Sequence, residues 1–484
     1  MTCRRLPTAA VALLFCLSWV NTGCQRAAKH QLTAISSYDR GTPQDAIQAF
    51  EQAAKTRGAE PEIIAADTAI AVLMSGDPAG CEATLRETRQ QIDFLRQKDL
   101  REKTTSILTD DKAIAWSGRE FEQRMLDNLL ILSSLVGDRQ DAFAYATQAM
   151  DHVYDDYALL SESTQDNPPV MTVGHSNSSG TEVSPPPPAR YSPNSMSAWL
   201  QAAVRSEHAM DADLTAEALQ QVGYWNSSNT LSQSAIQPAD ESTFGTMSSR
   251  GHGVLHVLTM VGRATDWTSE RAMPTTSALL IADRILSSVG DHTLPPTIAP
   301  VLIARPASEF SGHPFVTVAN LADSDSHSSL RSRTLVDVNR AAFDSYMADR
   351  DDQLARAVAR RVIKKGAVYA AKNQMSVAGG SGTDLLLNLG GMAWEALEKA
   401  DTRHLHLLPE RVEVLQMELP AGRHAIDLWS APAAGQNTLN PAQALRVSVT
   451  IDDGRNTFVL CFRPHDRFAG SVLISDGSPP KEAI

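Results

Sequence analysis

His404 and His406 flank Leu405, and Asp401 and Arg403 stand just before them. In an extended segment, residues two apart point to the same side. Two imidazoles beside a carboxylate are the start of a metal site or of acid–base chemistry, but a third ligand is missing from the neighbourhood. His252 and His256 are four apart, yet they straddle Gly253 and enter a strand-like run, so the argument for a helical metal pair does not apply. Gly174-His175-Ser176-Asn177-Ser178 lacks the final glycine of a nucleophile elbow and lies in a polar, proline-bearing stretch. Gly379-Gly380-Ser381-Gly382 lacks the lysine and spacing of a phosphate loop and reads as a flexible turn. No catalytic residue, metal site or cofactor is expected from these patterns. Positive charge gathers once, at Arg356, Arg360, Arg361, Lys364 and Lys365, on a helix whose apolar face is Leu354, Val358, Val362 and Tyr369. That side either contacts an anion, such as lipid headgroups or an acidic partner, or is a solvated face screened by Asp349, Asp351 and Asp352.

A different chemistry is written at the N-terminus. Arg4 and Arg5 precede an apolar run from Leu6 to Val20, and Asn21-Thr22-Gly23-Cys24 follows. A basic start, an apolar stretch of about 7 to 15 residues and small residues at a cut are the parts of an export signal. A cut before a cysteine resembles the bacterial lipoprotein signal, in which the Cys24 thiol takes a diacylglycerol. Asn21 stands where Leu or Val is usual. An ordinary cleaved signal with an incidental cysteine, or an uncleaved anchor, is the other reading. Each buried CH₂ contributes about 0.8 kcal/mol, so one acyl chain binds reversibly while two or three hold a protein on a membrane. Gln25, rather than aspartate, after the cysteine leans toward outer-membrane delivery facing the periplasm.

The chain has 484 residues and a formal net charge of -13. That balance argues against a nucleic-acid partner, which usually requires a basic surface to displace phosphate counterions. Once the signal is removed, Cys81 and Cys461 are the cysteines other than Cys24. Both sit in apolar patterns and read as buried thiols, with a disulfide between them as the alternative.

The elements that must position these residues fall into segments: a signal peptide over 1–23, helical repeats over 24–160, a Pro/Ser-rich linker or insertion over 161–195, a further helix pair and loop over 196–250, an α+β domain over 251–470 and a tail over 471–484. In the first helical part Gly41, Ala46, Phe50 and Ala53 share their spacing with Gly76, Cys81, Leu85 and Thr88, and with Gly137, Ala142, Ala146 and Ala149. The step from Gly41 to Gly76 is 35 residues, close to the period of about 34 in the tetratricopeptide repeat. The step from Gly76 to Gly137 breaks that period, so an irregular antiparallel bundle is the competing architecture. Pro185 to Pro188 favour an extended, solvated excursion. Beyond Gly251, short strands are expected at Val254–Val261, Thr297–Ile303 and Phe315–Val318, and helices at Ala278–Ser288 and Thr334–Asn373. Two hairpins are then expected, Arg411–Leu419 with Arg423–Trp429 and Leu445–Ile451 with Thr457–Phe462. The fold class is α+β.

Four places together resemble a family of uncharacterised bacterial lipoproteins with N-terminal tetratricopeptide-like helices: Arg119-Glu120-Phe121-Glu122, Gly253 to Gly262, Arg356 to Lys365, and Ala400-Asp401-Thr402-Arg403 followed by Leu408-Pro409 and Leu419-Pro420-Ala421-Gly422. Leu405 stands where that family usually has tryptophan. The resemblance implies an architecture and an envelope location, not a reaction. Asp401, Arg403 and Pro409 read as a structural corner, in which the carboxylate caps or pairs with the guanidinium and the proline enforces an extended exit. The expectation is therefore a non-enzymatic protein, lipid-anchored in the cell envelope, that binds an envelope protein partner through its helices. The alternative is an envelope hydrolase with a site around Asp401, His404 and His406.

Overall fold

The computed structural model describes residues 27–56, 58–106, 115–166, 192–226, 248–289, 294, 299–309, 312–322, 329–374, 400–433, 443–475 and 481–482. The signal segment, Cys24, Gly174–Ser178, Pro185 to Pro188 and Gly379–Gly382 lie outside the described residues.

Helix α1 (27–39) leads into α2 (Pro43–Ala54), α3 (Pro61–Met74), α4 (Pro78–Ser106), α5 (Glu120–Leu135), α6 (Ala142–Asp166), α7 (Pro193–Arg205) and, after a 3₁₀ turn at Ala209–Asp211, α8 (Ala212–Trp225). The predicted linker 161–195 is thus shorter at both ends, because α6 runs on to Asp166 and α7 begins at Pro193. Proline opens α2, α3, α4 and α7, where its fixed φ suits a first helical turn that needs no N–H. Gly76 closes α3 with a positive φ of 100°, a conformation that L side chains rarely adopt. The small and apolar residues of the repeated spacing, Ala46, Phe50, Ala53, Cys81, Leu85, Ala142, Ala146 and Ala149, are all buried.

Side-chain contacts sort the helices into two rows. Arg86 and Arg89 of α4 reach Tyr145 and Gln148 of α6 at 3.0 and 2.8 Å. Tyr154 and Tyr157 of α6 meet Glu217 and Tyr224 of α8, so α4, α6 and α8 lie side by side in the same direction. Between them and the β-region lie α3, α5 and α7. Fourteen of the sixteen residues of α5 and twelve of the thirteen of α7 are buried, which requires cover on both faces.

That cover is a six-stranded sheet, ordered β12-β11-β10-β1-β7-β6, with β1 (His252–Val261), β6 (Arg333–Asp337), β7 (Arg411–Pro420), β10 (Asn456–Arg463), β11 (Ala469–Ile474) and β12 (Lys481–Glu482). A four-stranded sheet, β5-β4-β8-β9, packs on its far side: β4 (Phe315–Leu321), β5 (Leu330–Arg331), β8 (Gly422–Pro432) and β9 (Leu445–Ile451). Residues of one strand alternate between two cores. Leu258, Met260, Phe458, Leu460 and Phe462 join the helical core, while Leu255, Val257, Val459 and Cys461 face Ile426, Leu428, Val447 and Val449 of the second sheet. The helical array and the strands therefore share one continuous core. β2 (Trp267–Ala272) and β3 (Val301–Pro306) pair separately around α9 (Thr276–Val289), and α10 (Val338–Gln374) packs on α9 and β3. Cys81 and Cys461 are both buried free thiols.

The α+β class and C-terminal hairpins are present, with hairpins at β8–β9 and β10–β11. The turns at Pro420-Ala421-Gly422 and Asp452 to Asn456 differ from expectation: they are corners between the two sheets, since β7 pairs with β1 and β6 while β8 pairs with β4 and β9. The helix expected from Thr334 begins at Val338, because Arg333–Asp337 pairs with β7 and buries Leu335 and Val336. The expected tail over 471–484 contributes β11 and β12, where Val472 and Leu473 are buried in opposite cores.

Two polar groups are sealed into this body. His256 is fully buried between Asn456 Oδ1 at 3.0 Å and Gln416 Nε2 at 3.2 Å, with Trp199 edge-on at 5.2 Å. The neutral ring satisfies both neighbours, accepting from the amide nitrogen and donating to the amide oxygen, and burial pushes its pKa down to about 4. Between the unfolded value of about 6.5 and that value, the unfolded chain takes a proton that the folded chain refuses. Stability is therefore lost as pH falls through this window, by about 3 kcal/mol. Urea unfolding across that pH range checks this: a His256→Gln variant is less stable at neutral pH but shows a shallower loss on acidification.

The second group joins the two sheets. Glu413 accepts from Arg411 at 2.7 Å and from Arg463 at 3.2 Å through one oxygen, and from Ser332 Oγ at 2.6 Å and the Thr317 N–H at 3.0 Å through the other. Both Glu413 and Arg463 are inaccessible to solvent.

Candidate functional site

Residues 400–410 form an irregular strap that crosses from the helical array to β7, and the array holds it with carboxylates. Asp67 of α3, fully buried, accepts the backbone N–H groups of His406 and Leu407 through Oδ1, both at 2.9 Å. Its other oxygen lies 2.9 Å from His406 Nδ1. Glu122, the third residue of α5, accepts the Leu405 N–H at 2.8 Å and the Arg119 N–H at 2.7 Å, so it caps its own helix and pins the strap together. Arg119 donates to the carbonyls of Arg403 at 2.7 Å and Asp401 at 3.1 Å while its guanidinium lies 3.6 Å over the Trp267 ring.

The imidazoles of His404 and His406 are neighbours, with ring centroids 4.5 Å apart. His404 Nδ1 is 2.9 Å from the Thr402 carbonyl, and its Nε2 is 3.4 Å from Asp266 Oδ1. Asp266 also pairs with Arg263 at 2.8 Å, and Arg263 extends to Asp39 of α1 at 3.7 Å. Contact with His404 holds the Asp266 carboxyl well below the usual range; burial opposes this and Arg263 reinforces it. For His406, burial works against the charged ring, but the hydrogen bond and charge of Asp67 outweigh it and raise the pKa above 6.5. A raised pKa means that this contribution to stability is complete below the unfolded value and is lost as pH rises through the folded value. Thermal unfolding followed from mildly acidic to alkaline pH will therefore show a decline that a His406→Gln variant lacks.

The candidate residues divide accordingly. Asp401 does not join the histidines. It pairs with Arg403 at 2.7 and 2.8 Å and accepts the Arg403 N–H, while Arg403 reaches on to Glu60 at 3.4 Å. Burial pushes the Asp401 carboxyl up, and Arg403 more than offsets it. Pro409 is buried where the strap turns into β7. Among the described residues no serine, threonine or cysteine side chain is hydrogen-bonded to either imidazole, and no group of three or more His, Cys, Asp or Glu is arranged to hold a metal ion. The basic stretch of α10 does not form one open face. Arg356 is exposed, Arg360 is buried, and Arg361 donates to the Ala299 and Pro300 carbonyls at 3.0 Å, tying α10 to the start of β3. Lys364 and Lys365 stand on α10, but their side chains lie outside the described residues.

Asp67 was missed from sequence, although it left a signal: it is a lone carboxylate among Ile63, Ile64, Ala66, Ala69, Ile70, Ala71, Leu73 and Met74, in a helix with no polar face for it. A charge in such a place requires a partner from elsewhere in the chain. Asp266 and Arg263 carried no comparable mark. No helix among the described residues is long and apolar enough to cross a membrane. Comparison with protein-family models, with curated proteins and with solved structures finds no match for this chain.

Proposed function

We propose that this chain is a lipid-anchored envelope protein, held through acyl groups on Cys24 to the periplasmic face of the outer membrane, and that it acts as a protein-binding adaptor or assembly accessory through its tetratricopeptide-like helices, without catalysis. The proposal keeps the resemblance to the lipoprotein family and adds a choice of face. In a helical array the inner row is the usual partner surface. Here that row is sealed by the chain's own sheet and strap, and the observation that carries the reading is what remains outside: seven of the thirteen large apolar side chains exposed among the described residues stand on α6, α8 and the turn before α8. Contiguous exposed apolar surface is a mark of partner contact.

Crosslinking and pull-down from native envelopes, with mass analysis of the mature N-terminus, tests both halves. One recurrent envelope complex and a triacylated or diacylated Cys24 are expected. An unmodified Cys24 removes the anchor, and the absence of any recurrent partner removes the adaptor. The hydrolase alternative keeps one supporting observation, the Asp67–His406 pair, since a carboxylate at Nδ1 is how a catalytic imidazole is oriented. Turnover of an ester or amide that disappears in a His406→Ala variant would favour it.

A further inference from the structure

The α6–α8 surface has a chemistry that narrows its partner. Along α6, Phe143, Tyr154 and Tyr157 share one helical stripe and are exposed. Leu214 follows on α8, and Met210 on the turn before it is 97 % exposed. The stripes are continuous across the two helices, because Tyr157 packs edge-on against Tyr224 at 4.8 Å and Tyr154 donates to Glu217 at 2.7 Å. Around this apolar strip stand the exposed carboxylates Asp151, Asp155, Asp213 and Glu217. Neither helix, nor the turn between Ala209 and Asp211, contains a lysine or arginine. The cations at its edges are engaged: Arg205 of α7 pairs with Asp211 at 3.1 Å and lies over the Phe143 ring at 4.9 Å, while on the other flank Arg86 and Arg89 of α4 pair with Asp141 at 3.0 Å and Asp127 at 3.5 Å.

We infer that this surface docks a basic amphipathic helix of a partner protein, which lays its apolar side on Tyr154, Tyr157, Leu214 and Met210 and its lysines or arginines against the flanking carboxylates. Charge complementarity selects this occupant. An anionic membrane surface would meet four carboxylates at the rim, and a second copy of the same face would oppose like charges. The chain's own neighbouring stretches, 167–191 and 227–247, hold a single cationic residue between them, Arg190. A helix lying along an apolar strip is a common recognition mode, read through residues spaced one turn apart. This inference rests on the adaptor reading and specifies its partner.

The test uses the full mature chain and a fluorescent synthetic leucine–lysine amphipathic helix, with two control peptides: a scrambled sequence of the same composition and a leucine–glutamate version. Anisotropy titration at low and high salt gives the affinity, and amide hydrogen exchange locates the peptide. Expected are binding of the leucine–lysine peptide that weakens with salt, protection confined to α6 and α8, and weak or no binding of both controls. The double variant Met210→Ser, Leu214→Ser, at exposed positions, should weaken binding about tenfold, as should Asp151→Lys with Asp155→Lys, which is about 1.4 kcal/mol each. Glu87→Lys with Asp283→Lys, the same charge change at exposed positions on α4 and α9, should leave affinity within about twofold. Unchanged circular dichroism and melting will show that the variants fold. Equal binding of the scrambled peptide, protection elsewhere, or no binding at low salt overturns the assignment of this surface while leaving the adaptor reading standing. Peptide binding as expected, together with no recurrent partner in native envelopes, does the reverse.

Discussion

Replacing Glu413 with leucine will destabilise the protein by about 3–5 kcal/mol, the scale set by removing one partner from a fully buried ion pair. Burial alone would raise the Glu413 pKa, but Arg463 and Arg411 more than offset it and hold the carboxyl below its ordinary value. Without Glu413, two guanidiniums face each other between the sheets. Arg463 would keep the Phe315 carbonyl at 2.8 Å and Thr317 Oγ1 at 3.3 Å, neither of which is charged. The Ser332 hydroxyl and the Thr317 N–H would lose a shared acceptor. The sign of the acid response follows from the lowered pKa: the stabilisation from Glu413 is present above the unfolded carboxyl value and is lost as pH falls through the folded one. Equilibrium urea unfolding at neutral pH measures the loss. A change under about 1 kcal/mol would mean that water reaches the cluster. Replacing Glu413, Arg411 and Arg463 together with apolar residues should recover much of the loss, since a buried charge group often stabilises no more than well-packed hydrocarbon of similar volume.

Asp67→Ala is the second large effect, expected to cost about 3 kcal/mol or more, since it leaves the buried Leu407 N–H and the part-buried His406 N–H without their acceptor and removes the partner of the His406 ring. The damage is directional. The strap should come away from α3 while the sheets stay intact, so amide exchange should rise at His406 and Leu407 before it rises in β1 or β10. Asp67→Asn keeps one oxygen for the backbone groups but cannot support a charged imidazole. It should cost less than Asp67→Ala and should remove the alkaline decline that His406 produces in the parent protein. Uniform exchange across the molecule in Asp67→Ala would show that the strap has no independent opening.

What the chain disclosed and what it concealed divide by range. The packing slots at Ala46, Phe50, Ala53, Cys81 and Leu85 were readable because each is fixed by neighbours within one or two helical turns. The strands at Val254–Val261 and Phe315–Val318 were readable for the same reason. Their partners were not. A β-rich run ending in Pro-Ala-Gly carries the same local signal whether the chain folds back to pair with itself or crosses to the opposite sheet, and here it crosses. At Thr334 to Asp337 the helical pattern of α10 extended backward over residues that pairing with β7 claims for the sheet, a case of tertiary contact overriding local preference. The site was half legible. The two histidines were visible as a pair with a common direction, but the carboxylates that face them, Asp67 and Asp266, stand 339 residues upstream of His406 and 138 residues upstream of His404.

The central register of the six-stranded sheet, Val254 beside Asn456 through Val261 beside Arg463, is parallel and spans about two hundred positions of chain. Long-range pairing of this kind is closed late, since ordering the intervening polypeptide comes before the contacts that reward it. Until β10 has left the ribosome, the nascent protein keeps one margin of β1 unsatisfied and the hydrocarbon of Trp199, Phe458 and Phe462 apart. Premature termination anywhere before Asn456 is therefore expected to leave a sticky, template-like border rather than a smaller working version, and this topology predicts a demand for chaperones during biogenesis.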